Sequence, residues 1–352
     1  VIKSFDWNKK KKILKKMALV IACFGLGTVL LAAPAWTETR NGEIKMEFKP
    51  KKSSNVKDVR LWVPYPVSTP FQRITDVKIT GNYSQHAIYG AGTNGNMILF
   101  AKWDQAIKDP SLTFQFKASR DEAVRKDFPE KENPWSISDY ADYLKAYSMS
   151  PLNRKVRELS DEITSGKTTV LARAKAIYDW VVANMYRDPN VKGCGDGDVC
   201  RLLEYRGGKC VDINSVYVAL ARAADVPSRE VFGIRLGKDE INDITKWQHC
   251  WAEFYLPGYG WVPVDPADVR KRMLVHDLKL DDAKTKEYRE YFFGAVDPYR
   301  IRLSIGKDIV LTPRQKAGPI NYFMYPYMEI DGQPADTLSP DTFQYRFTFR
   351  GI

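Results

Sequence analysis

Between residues 41 and 118 apolar and polar positions alternate with a period near two. The segments GEIKMEFKP (42–50), VRLWVPYPV (59–67), ITDVKITG (74–81), MILFAKW (97–103) and LTFQFKAS (112–119) are rich in β-branched and aromatic residues, and Pro, Gly and Asn separate them. Short strands punctuated this way predict a small sandwich or barrel. Residues 120–135 are polar and carry two prolines, as a linker does. The period then lengthens. Val156, Leu159 and Ile163 recur at helical spacing with Gly166 as a stop, and Thr168 or Thr169 can cap a second helix running to about Met185. A loop, CGDGDVC, spans 194–200, and Ile213, Val216, Tyr217, Leu220 and Ala224 mark a third helix that Pro227 ends. REVFGIRLG (229–237), WQHCWAEFYL (247–256) and WVPVD (261–265) read as strands, and β character returns over 300–350 in IRLSI, IVLT, YFMYPYMEI and FQYRFTF. The expected organisation is α+β: a β-rich N-terminal domain over 36–120, a linker over 121–150, a central unit over 151–299 and a C-terminal β extension over 300–352.

Composition changes the picture at one end only. The 352 residues are 44% hydrophobic and 28% charged, a globular balance that excludes a disordered chain and a multi-span membrane protein. The formal net charge is +11, but residues 1–16 hold seven Lys against one Asp, and residues 17–35 carry no charge. The rest has no basic stripe interleaved with aromatics, so nucleic acid is not an expected partner. A lysine-rich start, an apolar run and the small-x-small triplet Ala33-Pro34-Ala35 are the parts of an export signal. The alternative is an uncleaved anchor over 17–35, the one expected route to the membrane. Cys23 stands in a lipoprotein-like box, but only six apolar residues separate it from Lys16 and the apolar run continues past it. The folded part is therefore expected outside the cytoplasm, periplasmic or extracellular, where disulfides are permitted.

Three residues carry candidate chemistry. Cys210 follows Gly207-Gly208-Lys209 at the mouth of the third helix, where free N–H groups and a partial positive charge favour thiolate. The glycines allow close backbone approach, as an acyl substrate needs. On the strand WQHCWAEFYL, His249 shares a face with Trp251 and Glu253, while Cys250 falls with Ala252 and Phe254 on an apolar face and reads as core packing. Asp265 ends the next strand before Pro266, a position equally suited to a turn. A nucleophile, a base and an orienting carboxylate make a triad. It requires Asp265 and His249 on one side of the hairpin, hence an odd-length loop such as Pro257-Gly258-Tyr259, pairing Leu256 with Gly260, or a compensating bulge.

GGKCVDINSVYVALARAADVPSREVFGIR and QHCWAEFYLPGYGWVPVDPADV, in that order, resemble the core of the bacterial transglutaminase-like superfamily over roughly 160–270. The shared pattern is G-x-C, an Ala/Leu-rich helix, a G-I-P-[AS]-R strand entry, H-x-W-x-E and W-x-x-x-D-P, with Asp225 standing where the family usually has Gly. The resemblance implies a papain-like architecture, a helix carrying the Cys on an antiparallel sheet carrying His and Asp, with Cys210, His249 and Asp265 as the triad. The expected activity is acyl transfer from amide bonds of a peptide or protein substrate through a thioester, with no cofactor. The rival is a cell-envelope binding or scaffold protein that kept the fold and lost turnover, and all three triad residue types argue against it. Cys194 and Cys200, six residues apart, are disulfide candidates. Asp196 and Asp198 hint at calcium but lack the EF-hand ligand pattern, and zinc lacks a C-x-x-C pair. YFMYPYMEI reads as core, with a groove lining as the alternative.

Overall fold

The computed structural model describes residues 38–352 except 54, 93 and 340–342. The lysine-rich start, Cys23 and the expected export segment over 17–35 lie outside the described residues. In chain order the strands are β1 (Thr39–Pro50), β2 (Asp58–Tyr65), β3 (Gln72–Gly81), β4 (Gln85–Ala91), β5 (Asn96–Asp104), β6 (Leu112–Asp121), β7 (Ala123–Val124), β8 (Tyr186–Arg187), β9 (Gly207–Gly208), β10 (Ser228–Arg235), β11 (Ile241–Asp243), β12 (Gln248–Leu256), β13 (Gly260–Val264), β14 (Ala295–Val296), β15 (Arg300–Ile305), β16 (Tyr327–Ile330), β17 (Gln333–Pro334) and β18 (Phe343–Gly351). The α-helices are α1 (Arg154–Ile163), α2 (Val170–Asn184), α3 (Val199–Tyr205), α4 (Cys210–Ala223), α5 (Pro266–Val275) and α6 (Ala283–Tyr291).

Two five-stranded sheets, ordered β11-β18-β1-β6-β3 and β17-β16-β2-β5-β4, form the expected sandwich. Alternate residues Ile44, Met46 and Phe48 of β1 and Phe114 and Phe116 of β6 share a core with Val59, Leu61 and Val63 of β2. The outer face of β2 and β5 is buried too, because Ile309, Leu311 and Phe323 cover Trp62, Ile98 and Phe100. That second layer explains why VRLWVPYPV is apolar nearly throughout.

The C-terminal strands are shared out among the sheets. β18 pairs with β1 along its whole length and β16 pairs with β2, so the C-terminal strands complete the N-terminal sandwich. β15 joins the other four-stranded sheet, β13-β12-β10-β15. Residues 38–352 thus form one compact unit. The supposed linker is tied down as well. Glu132 accepts from the Val170 and Leu171 N–H groups at 2.9 and 2.8 Å, anchoring it at the start of α2.

α4 is the helix on which the second half is built. All fourteen of its residues are buried, and it packs against α1, α2, α3 and α5 and on β10 and β12. Its few polar side chains have work inside: Asn214 Nδ2 donates to the Cys250 carbonyl at 3.0 Å, and Ser215 Oγ accepts from Lys307 Nζ at 3.2 Å. A helix bearing Cys210 at its first residue lies on an antiparallel sheet bearing His249, with Asp265 one residue past its edge strand. This is the α+β arrangement that the resemblance implies.

Candidate active site

The start of α4 is fixed by its own third residue. Asp212 is fully buried, and its carboxylate accepts from the Lys209 N–H and from the Gly197 N–H, each at 2.9 Å. The two glycines before Cys210 serve this packing. A Cβ at Gly208 would collide with the Asp212 side chain, and one at Gly207 with the ring of Tyr186, across the short parallel pairing of β8 and β9. Cys210 therefore enters the cleft at a helix N-terminus held by a buried cap.

The hairpin register is the one the triad requires. Leu256 pairs with Gly260 and Ala252 with Val264, leaving Pro257-Gly258-Tyr259 as a three-residue loop, with Gly258 inside it and Gly260 just after it at positive φ. Asp265 is then the N-cap of α5. Its Oδ1 accepts from the Asp268 N–H at 3.0 Å, and its Oδ2 lies 2.7 Å from His249 Nε2. With Nε2 so engaged, Nδ1 is the imidazole nitrogen left for the thiol side. Hydrogen bonds from Cys194 and Cys250, and then from His249, hold the Cys210 thiol well below the ordinary thiol range against the opposing effect of burial. The same contact and burial push Cys194 and Cys250 up.

The structure places three further sequence expectations. Cys194 and Cys200 are free thiols rather than a disulfide. Cys200 sits on α3, where its Sγ accepts from Asn153 at 3.2 Å, while Cys194 turns inward, its Sγ 3.4 Å from the Gln248 carbonyl oxygen and accepting from Tyr325 Oη at 3.2 Å. Cys250 is core, as its apolar face implies, yet it also touches Cys210, because α4 packs on that face of β12. YFMYPYMEI divides its residues: Phe323, Met324 and Met328 are buried, while Tyr325 lines the cleft.

The largest unexpected element is Arg300, the first residue of β15 and fully buried. Its guanidinium donates to Asp265 Oδ2 at 2.5 Å, to Asp268 Oδ2 at 2.7 Å and to Asp297. Arg235 from β10 holds the other oxygen of Asp268. Burial works against the charge on Asp268, but Arg235, Arg300 and His249 together keep its carboxyl well below the usual range. Three carboxylates against two guanidiniums leave one net negative charge beside the imidazole. His249, Asp265 and Asp268 bring donor atoms within 4.8 Å of one another, as a metal site would. The guanidiniums already occupy both carboxylates, so the trio is an ion-pair network by the chemistry of its neighbours.

β15 can deliver Arg300 only because Gly233 lacks a side chain. A Cβ there would collide with the Ile301 carbonyl, at the point where the pairing of β10 with β15 shifts register. Gly233 also pairs directly with His249 on β12.

The cleft above these residues is about 960 Å³ and is lined by Cys194, Cys210, Gln248, His249 and Tyr325 among others. The profile of the transglutaminase-like superfamily matches residues 157–266. A Haemophilus influenzae protein of uncharacterised function is 36% identical over 318 residues, which is 83% of this chain and 86% of the relative. The chain belongs to the transglutaminase-like superfamily. An uncharacterised Bacillus subtilis protein, YebA, is 26% identical over 293 residues, covering 74% of this chain and 38% of its own length, so the chain spans well under half of that relative. Among solved structures, a candidate cysteine protease from Cytophaga hutchinsonii aligns over 89% of this chain and 98% of its own at a TM-score of 0.54 and 14% identity, a likeness of fold.

Several superfamily motif positions now have physical roles. Asp225 adopts φ 56°, the left-handed conformation that the usual glycine supplies and that Asp tolerates better than most residues. Arg229 and Glu253 are cross-strand partners 2.6 Å apart, with the Arg229 guanidinium 3.7 Å above the Trp261 ring. They brace the sheet rather than the cleft.

Proposed function

We propose that the chain is an exported cysteine acyl-transfer enzyme that acts on amide bonds of peptides or proteins through Cys210, His249 and Asp265. The observation that carries the reading is the placement of the Cys210 thiol at a helix start beside an imidazole whose far nitrogen is held by a carboxylate. The Cys210 thiolate attacks the amide carbon, forming the C–S bond as the carbonyl π pair moves to oxygen. The Cys210 N–H at the start of α4 is one donor to that oxyanion. His249 Nδ1–H protonates the leaving nitrogen as the C–N bond breaks, giving a thioester and a free amine. Water or a second amine then attacks the thioester while Nδ1 takes its proton, and the thiolate returns. Asp265 fixes the tautomer and stabilises the imidazolium. Export rests on the pattern of residues 1–35.

Limiting iodoacetamide near neutral pH, followed by peptide mapping, should alkylate Cys210 ahead of Cys194, Cys200 and Cys250. Mass spectrometry on a mixed peptide pool should show amide cleavage or uptake of an added primary amine, and Cys210→Ala should abolish both while melting like the parent. Turnover retained in Cys210→Ala would overturn the mechanism.

A further inference from the structure

Among the described residues, the walls of the cleft over Cys210 carry six cationic side chains, Arg187, Lys192, Lys209, Arg235, Lys246 and Lys271, and no Asp or Glu. Two of these have counter-ions in the fold: Lys192 meets Asp336 at 2.9 Å, and Arg235 meets Asp268. The other four have no carboxylate within ion-pairing distance among the described residues. Lys209 feels Asp188 only at longer range, and that carboxylate is engaged by Tyr205 Oη at 2.9 Å and by the Asn190 N–H at 2.9 Å. Lys271 is the most telling. It stands on α5 in the half-buried part of the wall, and burial pushes its ammonium down, as do the neighbouring charges of Arg235 and Arg187. Asp268 is already held by two guanidiniums, and Cys210 is the other group that favours the charge on Lys271.

A half-buried ammonium beside two guanidiniums and without an ion-pair partner is an unfavourable arrangement in an empty cleft. An incoming anion reverses that, and low-dielectric walls of one sign focus its approach. We propose that the cleft takes a carboxylate-bearing peptide segment, with a carboxylate of the substrate seated against Lys271 and the Arg187–Lys209 wall next to the amide that meets Cys210. This rests on the acyl-transfer reading for the identity of the substrate as a peptide. Lys246 extends the positive wall along the β11–β12 connection, beside the exposed ring of Trp247. The carboxylate can come from an Asp or Glu side chain or from a peptide C-terminus.

The test uses the full chain carrying Cys210→Ala, which keeps the cleft and stops turnover. Three pentapeptide probes of Ala and Gln are titrated against it by calorimetry: one flanked by Glu and amidated, one neutral with a free C-terminus, and one neutral and amidated. At low salt at least one carboxylate probe should bind about tenfold more tightly than the neutral amide, and the difference should shrink at high salt. Whichever probe gains shows the source of the carboxylate. Adding Lys271→Gln should weaken the carboxylate probes about three- to tenfold and leave the neutral amide unchanged, and Lys271→Glu should abolish the preference. Equal affinities for all three probes, no binding of any, an unmoved preference in Lys271→Glu, or tighter binding of a polynucleotide would each overturn the proposal. Alkylation of Cys210 in the unmodified chain separates the two failures. A reactive Cys210 without carboxylate preference sinks only this inference. An inert Cys210 in a cleft that still prefers carboxylates sinks only the enzymatic reading.

Discussion

Arg300→Met removes the cation around which the buried carboxylates are arranged. The wild-type guanidinium is fully buried and donates to Asp265, Asp268 and Asp297, so its loss leaves Arg235, paired with Asp268, as the one guanidinium beside the three acids. Breaking a buried ion pair by deleting one partner costs about 3–5 kcal/mol. At roughly 2–4 °C per kcal/mol for domains of this scale or slightly smaller, the melting temperature should fall by about 6–20 °C. The pH dependence gives the sharper signature. In the wild type, Asp268 and Asp297 are held below their ordinary values despite burial. Their contribution is therefore present above the unfolded value of about 3.9 and is lost as pH falls through the folded values. Without Arg300, burial becomes the dominant influence, most clearly on Asp297, and lifts its folded pKa above the unfolded one. The variant's penalty is then greatest at neutral pH and relaxes as the acids protonate on the way down to pH 4. Melts of both proteins by circular dichroism at pH 7 and pH 5 should show the larger gap at pH 7. A fall of less than about 3 °C, or a gap that does not change with pH, would refute the account of Arg300 as the counter-ion of the site.

Two further outcomes follow from the same geometry. Asp265→Asn should reduce kcat/KM by about 10³–10⁴-fold and raise the pH at which Cys210 is alkylated, measured as iodoacetamide rate against pH, because the imidazolium loses its carboxylate. Gly233→Ala should lower stability by about 1–3 kcal/mol in a urea titration, since the new Cβ meets the Ile301 carbonyl and drives β15 from β10.

The sequence made the core of the candidate site legible because each of its three residues sits at a marked point of regular structure. Cys210 opens a long apolar helix, His249 lies near the start of an alternating strand, and Asp265 ends the next strand before a proline. If Asp265 is to reach His249, side-chain alternation requires an odd-length loop or a compensating bulge, and the Leu256–Gly260 pairing supplies the former. What stayed hidden lacks a local pattern. α6 buries only Thr285, so it carries no apolar stripe. β4 is an edge strand with exposed or half-exposed residues along most of its length. IVLT looks like a strand, yet Ile309 and Leu311 are apolar because they cover the outer face of β2 and β5, and the segment makes only an isolated bridge to Ile320. Arg300 was invisible for a different reason: its partners are 3 to 35 residues away, and their meeting depends on a glycine in a third strand.

Asp265 shows why the plain and the functional readings of such a position are not alternatives. As an Asp before Pro it starts a helix, and as a helix N-cap it must give one oxygen to the Asp268 N–H. That bond sets the rotamer, so the second oxygen points back to His249 and Arg300. The same economy recurs at Cys210, where the cap from Asp212 that fixes the start of α4 also fixes the thiol and its own N–H. Local backbone capping thus supplies the precision that a nucleophile and its base need, and the long-range contacts supply charge balance. The two tasks can be separated at Asp265. Asn caps a helix about as well as Asp but carries no charge, so Asp265→Asn should keep α5 and lose catalysis. Asp265→Ala should lose both.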